Sequence, residues 1–169
     1  MHNGAITETA QYLTFKLGEE VFALDIGKVR EVLDYTTVTK VPRTPDFMRG
    51  VINLRGNVVP VADMRLKFGM TGIERGVNTC IIIVEVPVDG ETTVLGVMAD
   101  SVLEVLEIGP ERIEPPPRIG TRMNVDFIRG MGKCDEEFVM ILDIDRLFSC
   151  EELATANDVA GEPASAVNS

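Results

Sequence analysis

Few side chains in this 169-residue sequence are suited to chemistry. Its single histidine, His2, follows the first methionine, so the body of the chain has no histidine for a Ser-His or Cys-His nucleophile pair or for a metal site. Cys80, Cys134 and Cys150 are odd in number and lack CxxC spacing, which disfavours a disulfide framework and a zinc site. Two aspartates remain, Asp63 and Asp143, and a carboxylate pair is the equipment of glycoside hydrolysis. Each, however, ends an apolar strand and precedes a short amphipathic stretch, where a carboxylate can accept from the unpartnered amides of a helical first turn. Capping explains both residues without asking them to converge on one cleft. No GxxxxGK[ST] loop is present, and Gly130 and Gly132 stand before a strand rather than a helix, so phosphate cradling is unsupported as well. The expectation is a chain with no catalytic residue, no metal and no cofactor.

The elements holding these residues are duplicated. Phe47-Met48-Arg49-Gly50 is repeated as Phe127-Ile128-Arg129-Gly130, and the same spacing of 80 separates Asp63 from Asp143 and Phe68 from Phe148. Upstream, the segments Val21 to Leu24 and Val29 to Leu33 are echoed by Val94 to Val97 and Val102 to Leu106, at a spacing of 73. The order is A, B, A′, B′, which a search for internal repeats brings out first. Each half is too short to bury much surface alone, so the two should share a core.

Tyr12 to Leu17 alternates with Leu13, Phe15 and Leu17 on one face, and Gly18-Glu19-Glu20 turns it into Val21 to Ile26 as a β-hairpin. Ile26, Val29 and Leu33, with Val32, fall at helical spacing and predict a two-turn amphipathic helix. Ser101 to Ile108 repeats that V-x-E-V-L pattern. Thr37 to Val41 is extended until Pro42 and Pro45 end it. Val51 to Leu54 and Val58 to Val61 make a second hairpin, with Gly56-Asn57 as its two-residue turn. Asp63 then caps a helix over Met64 to Phe68, and 69–78 is a loop started by Gly69. Thr79 to Val86, with Cys80 buried, pairs through Asp89-Gly90 with Thr92 to Val97. Pro115-Pro116-Pro117 crosses the surface. Asp126 to Met131 and Phe138 to Leu142 repeat the central hairpin, and Asp143 caps a helix carrying Leu147 and Phe148. Many short strands with brief helices describe small closed barrels, and duplication makes two of them.

A formal charge of −11 makes nucleic acid and anionic membrane surfaces poor partners. No apolar run approaches the roughly 18 residues of a membrane span. Met1 to Thr9 lacks the basic and apolar parts of a secretory signal, so a cytosolic location is expected. The organisation expected is a flexible N-terminus over 1–10, a body over 11–153 with pseudo-repeats of roughly 11–75 and 76–153, and a disordered acidic tail over 154–169.

Read together, Phe15-x-Leu17-Gly18, Leu24-Asp25-Ile26, Val29-x-Glu31-Val32, Thr44-Pro45-x-Phe47 and above all the run from Gly50 to Arg65 resemble the CheW family, scaffold proteins of bacterial chemotaxis. The likeness extends to about Leu153. It implies a mainly β fold of two intertwined SH3-like β-barrels with short helices, and no catalysis. It also implies two partners, the cytoplasmic tip of a chemoreceptor and the regulatory domain of the histidine kinase CheA, in arrays beneath the membrane with CheW–CheW or CheW–CheA rings. A related chemosensory pathway controlling surface motility or another non-flagellar output is the alternative.

Where the copies agree, shared architecture is the economical explanation, and where they differ, function becomes the better one. Arg55, within Asn53-Leu54-Arg55-Gly56, lies in the family motif and has Asp135 as its counterpart, so only the first copy presents an arginine on a hairpin tip. It is either a solvated turn charge or a partner contact, and the enrichment of arginine at interface hot spots favours contact. Val29, Glu31, Val102 and Val105 match the walls of the family's receptor-binding groove, with Val32 beside them, and a valine stripe is equally a core feature. Ile113, Glu114 and Ile119 match the segment that closes rings. Here the sequence departs from the family, with Glu114 where a basic residue is common, Arg118 where an acidic one is, and Ile119 where phenylalanine is frequent.

Overall fold

A computed structural model describes residues 8–67, 72, 76–88, 90–115, 128–134 and 137–147. The expected tail, the first seven residues, the turn residues Asp89, Asp135 and Glu136, the segment from Pro116 to Phe127 with Arg118 and Ile119, and Phe148 lie outside them. Eleven strands appear in chain order: β1 (Ala10–Leu17), β2 (Glu20–Asp25), β3 (Val29–Asp34), β4 (Met48–Leu54), β5 (Asn57–Asp63), β6 (Cys80–Val88), β7 (Glu91–Ala99), β8 (Ser101–Ile108), β9 (Ile113–Glu114), β10 (Ile128–Cys134) and β11 (Glu137–Leu142). The helices α1 (Met64–Lys67) and α2 (Ile144–Leu147) follow β5 and β11. No helix among the described residues is long and apolar enough to cross a membrane.

The strands form two sheets, ordered β8-β1-β2-β11-β10-β9 and β3-β6-β7-β5-β4, each the framework of one SH3-like unit. Neither sheet belongs to one copy of the repeat. β1 pairs antiparallel with β8, β3 with β6, and two parallel contacts, β2 with β11 and β5 with β7, also join first-copy strands to second-copy strands. The main core draws Leu13, Phe15, Phe22 and Leu24 from one sheet and Val61, Ile81, Ile83 and Val97 from the other. Phe15 and Phe22, opposite each other in the β1–β2 ladder, stack with ring centroids 6.1 Å apart. Tyr12, Ala23, Ile108, Val139 and Ile141 form a smaller core on the opposite face of the first sheet. β1 is therefore buried on both faces, which is why Tyr12 and Thr14 are as inaccessible as the alternating Leu13 and Phe15.

Three expectations fail here. Val29 to Leu33 is the strand β3, not a helix, and its echo 101–108 is β8. Positions i and i+4 share a face in a strand as well as in a helix, so Val29 and Leu33 did not discriminate. Gly27 weakens a helix start, the three residues Ile26–Lys28 make only a 3-10 turn, and the β-branched valines that follow find ladder partners on β6. The tight turn is likewise Arg55-Gly56 rather than Gly56-Asn57, since Leu54 pairs with Asn57 and the positive φ angles are those of Arg55 (51°) and Gly56 (89°). Cys80 opens β6 but is half-buried; its thiol donates to the Asn78 carbonyl, and desolvation raises its pKa. Thr37 to Val41 contributes only the bridge between Thr39 and Val51.

The repeated Arg-Gly is architectural. Both hairpins shift register at the same point, between Met48 and Gly50 and between Ile128 and Gly130, as a β-bulge does. Gly50 has φ of 145°, and a Cβ there would lie 2.0 Å from the Thr39 carbonyl oxygen. At Gly130 the obstacle is the Ile113 methyl group at 2.7 Å. Asp63, fully buried, accepts from the amides of Arg65 (2.9 Å) and Leu66 (3.4 Å), the bonding of an N-cap, while Arg49 approaches to 3.9 Å. Asp143 stands immediately before α2.

Urea unfolding should rank these positions. Gly50→Ala meets backbone and a positive φ together and should cost about 3 kcal/mol or more, whereas Gly130→Ala meets chiefly the Ile113 side chain, with the Glu114 carbonyl oxygen at 3.1 Å, and should cost less, about 1–2 kcal/mol. Asp63→Ala should cost about 1–2 kcal/mol, and Asp63→Asn, which keeps an acceptor oxygen, clearly less. Equal losses at the two glycines would contradict the steric explanation.

Candidate functional site

Two of the residues singled out from the sequence meet at the surface. Glu31 lies in β3 and Arg55 at the β4–β5 turn, where the left-handed conformation of Arg55 and Gly56 lets strand direction reverse in two residues. The Asn53 side-chain oxygen accepts from the Gly56 amide at 2.8 Å and fixes that turn. No atom approaches the position of a Gly56 Cβ, so glycine is needed there for its φ and not for space. Arg55 then faces Glu31 in a two-pronged contact: Nη1 donates to Oε1 at 3.3 Å and Nη2 donates to Oε2. The Arg55 side chain is 68% exposed and that of Glu31 29%, so the pair is presented to solvent rather than enclosed.

The hydrogen bond from Arg55 holds the Glu31 carboxyl below the usual carboxylate range, and Glu31 in turn raises the pKa of Arg55. Both partners stay charged at neutral pH, and an exposed pair of this kind adds little stability. By the sequence spacings of 73 and 80, the second copy has Glu104 and Asp135 at the two positions, which cannot form an ion pair.

The valines divide into two kinds. Val29 and Val102, opposite Val84 and Phe15 respectively, are half-buried against the main core. Val32 and Val105, the next repeat-related pair, are 41% and 47% exposed. Burial thus differs residue by residue along this stripe. Ile113 and Glu114 form β9, which pairs with Gly132 and Met131 at the far edge of the first sheet. Ile113 packs on the smaller core and Glu114 is exposed. This edge is separate from the Glu31–Arg55 pair. Leu103 and Phe138, also exposed, were not singled out from the sequence, although the replacement of Arg30 by Leu103 between the copies was a signal for the first of them.

Sequence reasoning also passed over two charged ties between the copies. Asp100, at the β7–β8 corner, accepts from the Gly18 amide at 2.6 Å and from Arg65 Nη1 at 3.2 Å, and Lys28 donates to Asp145 at 2.8 Å. These four side chains are only partly buried and fasten each short helix to the other copy's strand corner. Among the described residues no group of three or more histidine, cysteine or acidic side chains is gathered as metal ligands would be. The arrangement is suited to recognition by shape and charge.

A family model described as CheW-like domain matches residues 11–152. Among similar proteins, the chemotaxis protein CheW of Klebsiella aerogenes is 37% identical over 150 residues, covering 89% of this chain and 88% of that protein. Protein FrzA of Myxococcus xanthus is 33% identical over 140 residues, 81% of this chain and 84% of its own. The crystal structure of the scaffolding protein TtCheW from Thermoanaerobacter tengcongensis superposes with a TM-score of 0.75 at 35% identity, covering 90% of this chain and 96% of that one. With nearly its whole body matched in sequence and in fold, the chain belongs to the CheW family.

Proposed function

We propose that this protein is a non-catalytic coupling adaptor of bacterial chemotaxis, joining the cytoplasmic tip of a chemoreceptor to the regulatory domain of the kinase CheA. The observation that carries the reading is the match of residues 11–152 to one family, together with the likeness to one scaffold fold over 90% of the chain. The exposed Arg55–Glu31 pair and the exposed valines Val32 and Val105 supply charged and apolar contacts, with Val29 and Val102 supporting them from beneath. In this reading the protein is cytoplasmic and is recruited to membrane-associated arrays through its receptor. Ile113, Glu114 and Ile119 would close scaffold–kinase rings. The similarity to FrzA favours, as second reading, an adaptor of a related chemosensory pathway with a non-flagellar output. Identity of the neighbouring genes separates the two.

A pull-down with purified receptor tip and CheA regulatory domain tests the assignment. Wild type should capture both, and Arg55→Glu should weaken capture of at least one about tenfold or more. The double variant Glu31→Arg/Arg55→Glu restores an ion pair with inverted polarity, and should fold like wild type without regaining binding. Restored binding would make the pair purely architectural, and a wild type that captures neither partner would end the adaptor reading.

Carboxyl NMR checks the electrostatics independently. Because the folded-state pKa of Glu31 is lowered, the ion pair is present above the ordinary carboxylate range and is lost as pH falls through the folded value. Its titration midpoint should move up in Arg55→Ala. An unchanged midpoint would show that the two side chains do not pair in solution.

A further inference from the structure

The sheet containing β8, β1, β2, β11 and β10 has an opening on the face that carries its smaller core. A cavity of about 270 Å³ enters it between β8 and the β10–β11 hairpin. Val21, Leu106 and Val139 make its interior apolar, and all three belong to the smaller core or pack against it. Leu103, 47% exposed, stands at its edge. Three carboxylates, Glu104, Glu107 and Glu137, line it together with one cation, Arg112.

The duplication supplies an internal control for this feature. At the position of Leu103 the first copy has Arg30, paired with Glu85 at 2.9 Å, and at the position of Glu104 it has Glu31, paired with Arg55. Cys134, in the cavity wall, corresponds to Leu54, which packs on the main core. Thr14 corresponds to the fully buried Ile83, because Phe15 lies opposite Val102 as Val84 lies opposite Val29. Thr14 cannot fill the space in an apolar way: its hydroxyl donates to the Glu104 carbonyl at 2.7 Å and accepts from the Glu104 amide at 3.1 Å, bridging the bulge between β1 and β8. The unit built on β3 and β6 thus has Leu54, Ile83 and the ion-paired Arg30 where the unit built on β8 and β1 has Cys134, Thr14 and Leu103. A well-packed interior rarely leaves such room, and an apolar cavity edged by one sign of charge is the form of a docking pocket.

We propose that this opening is a second docking site, distinct from the Arg55–Glu31 pair, which takes an aliphatic side chain flanked by basic residues on a protein partner. The apolar interior selects the anchor, and three carboxylates against one guanidinium select cationic flanks and repel acidic ones. It goes beyond the adaptor reading and does not depend on it.

NMR titration of the full chain with a capped peptide, one leucine between two pairs of lysines, tests this. Amides over 103–107 and 137–139 should shift saturably. Replacing the peptide leucine by alanine should weaken binding about fivefold or more, and replacing the lysines by glutamates should abolish it. Cys134→Leu and Leu103→Arg, which install the first copy's residues, should each weaken binding about tenfold or more while the melting midpoint stays near wild type. If Cys134→Leu does not fold, Leu103→Arg, at an exposed position, decides the matter. The proposal is overturned if the shifts lie elsewhere, if the alanine peptide binds as well as the leucine peptide, or if folded variants bind like wild type.

Discussion

The exchange of strands between the two copies is the constraint on which the rest depends. β3 of the first copy completes its ladder on β6 of the second, and β8 of the second completes its ladder on β1 of the first. Neither half could satisfy its edge amides or cover Phe15, Phe22, Ile81 and Ile83 alone. Sixty to eighty residues form a marginal domain, and here two such lengths are merged into one continuous core rather than two adjacent ones. The ties of Asp100 to Gly18 and Arg65, and of Lys28 to Asp145, hold the corners where the chain passes from one sheet to the other. Surface features of the two units therefore keep a fixed separation, which is what a scaffold requires.

Within that frame the copies have kept their backbones and diverged at their surfaces. Gly50 and Gly130 sit at the same bulge in both hairpins because a neighbouring segment crosses close above each. The hairpin tips and the outer strands carry no such restriction. One copy has arginines at positions 30 and 55 paired with carboxylates; the other has Leu103 and Asp135 at the matching positions. On a chain of net charge −11, where arginines are retained becomes as informative as where carboxylates cluster.

Much of this was legible in the residues. The spacings of 80 and 73 gave the duplication, the alternation of Leu13, Phe15 and Leu17 gave the core face of β1, and Asp63 declared its cap by preceding an amphipathic turn. The turn of the hairpin through Val51 could be read to within one residue, though its strands run on to Met48 and Asp63, and the error at the tip came from giving the positive-φ turn to Asn57 instead of Arg55, a residue that seldom adopts it. The segment 29–34 misled because apolar residues four apart satisfy helix and strand alike, and only the partner strand β6 distinguishes them. What no local pattern could carry was long-range: that Glu31 and Arg55 touch, that Val29 and Val102 turn inward while Val32 and Val105 face solvent, and that Thr14 and Cys134 come together in the wall of one cavity.

A coupling adaptor must hold both partners at once, on surfaces kept apart by a rigid body. Sedimentation of the full chain with receptor tip and CheA regulatory domain together measures this directly. The account predicts a ternary species containing all three, with the affinity for either partner undiminished by saturation with the other. Displacement of one partner by the other would contradict it.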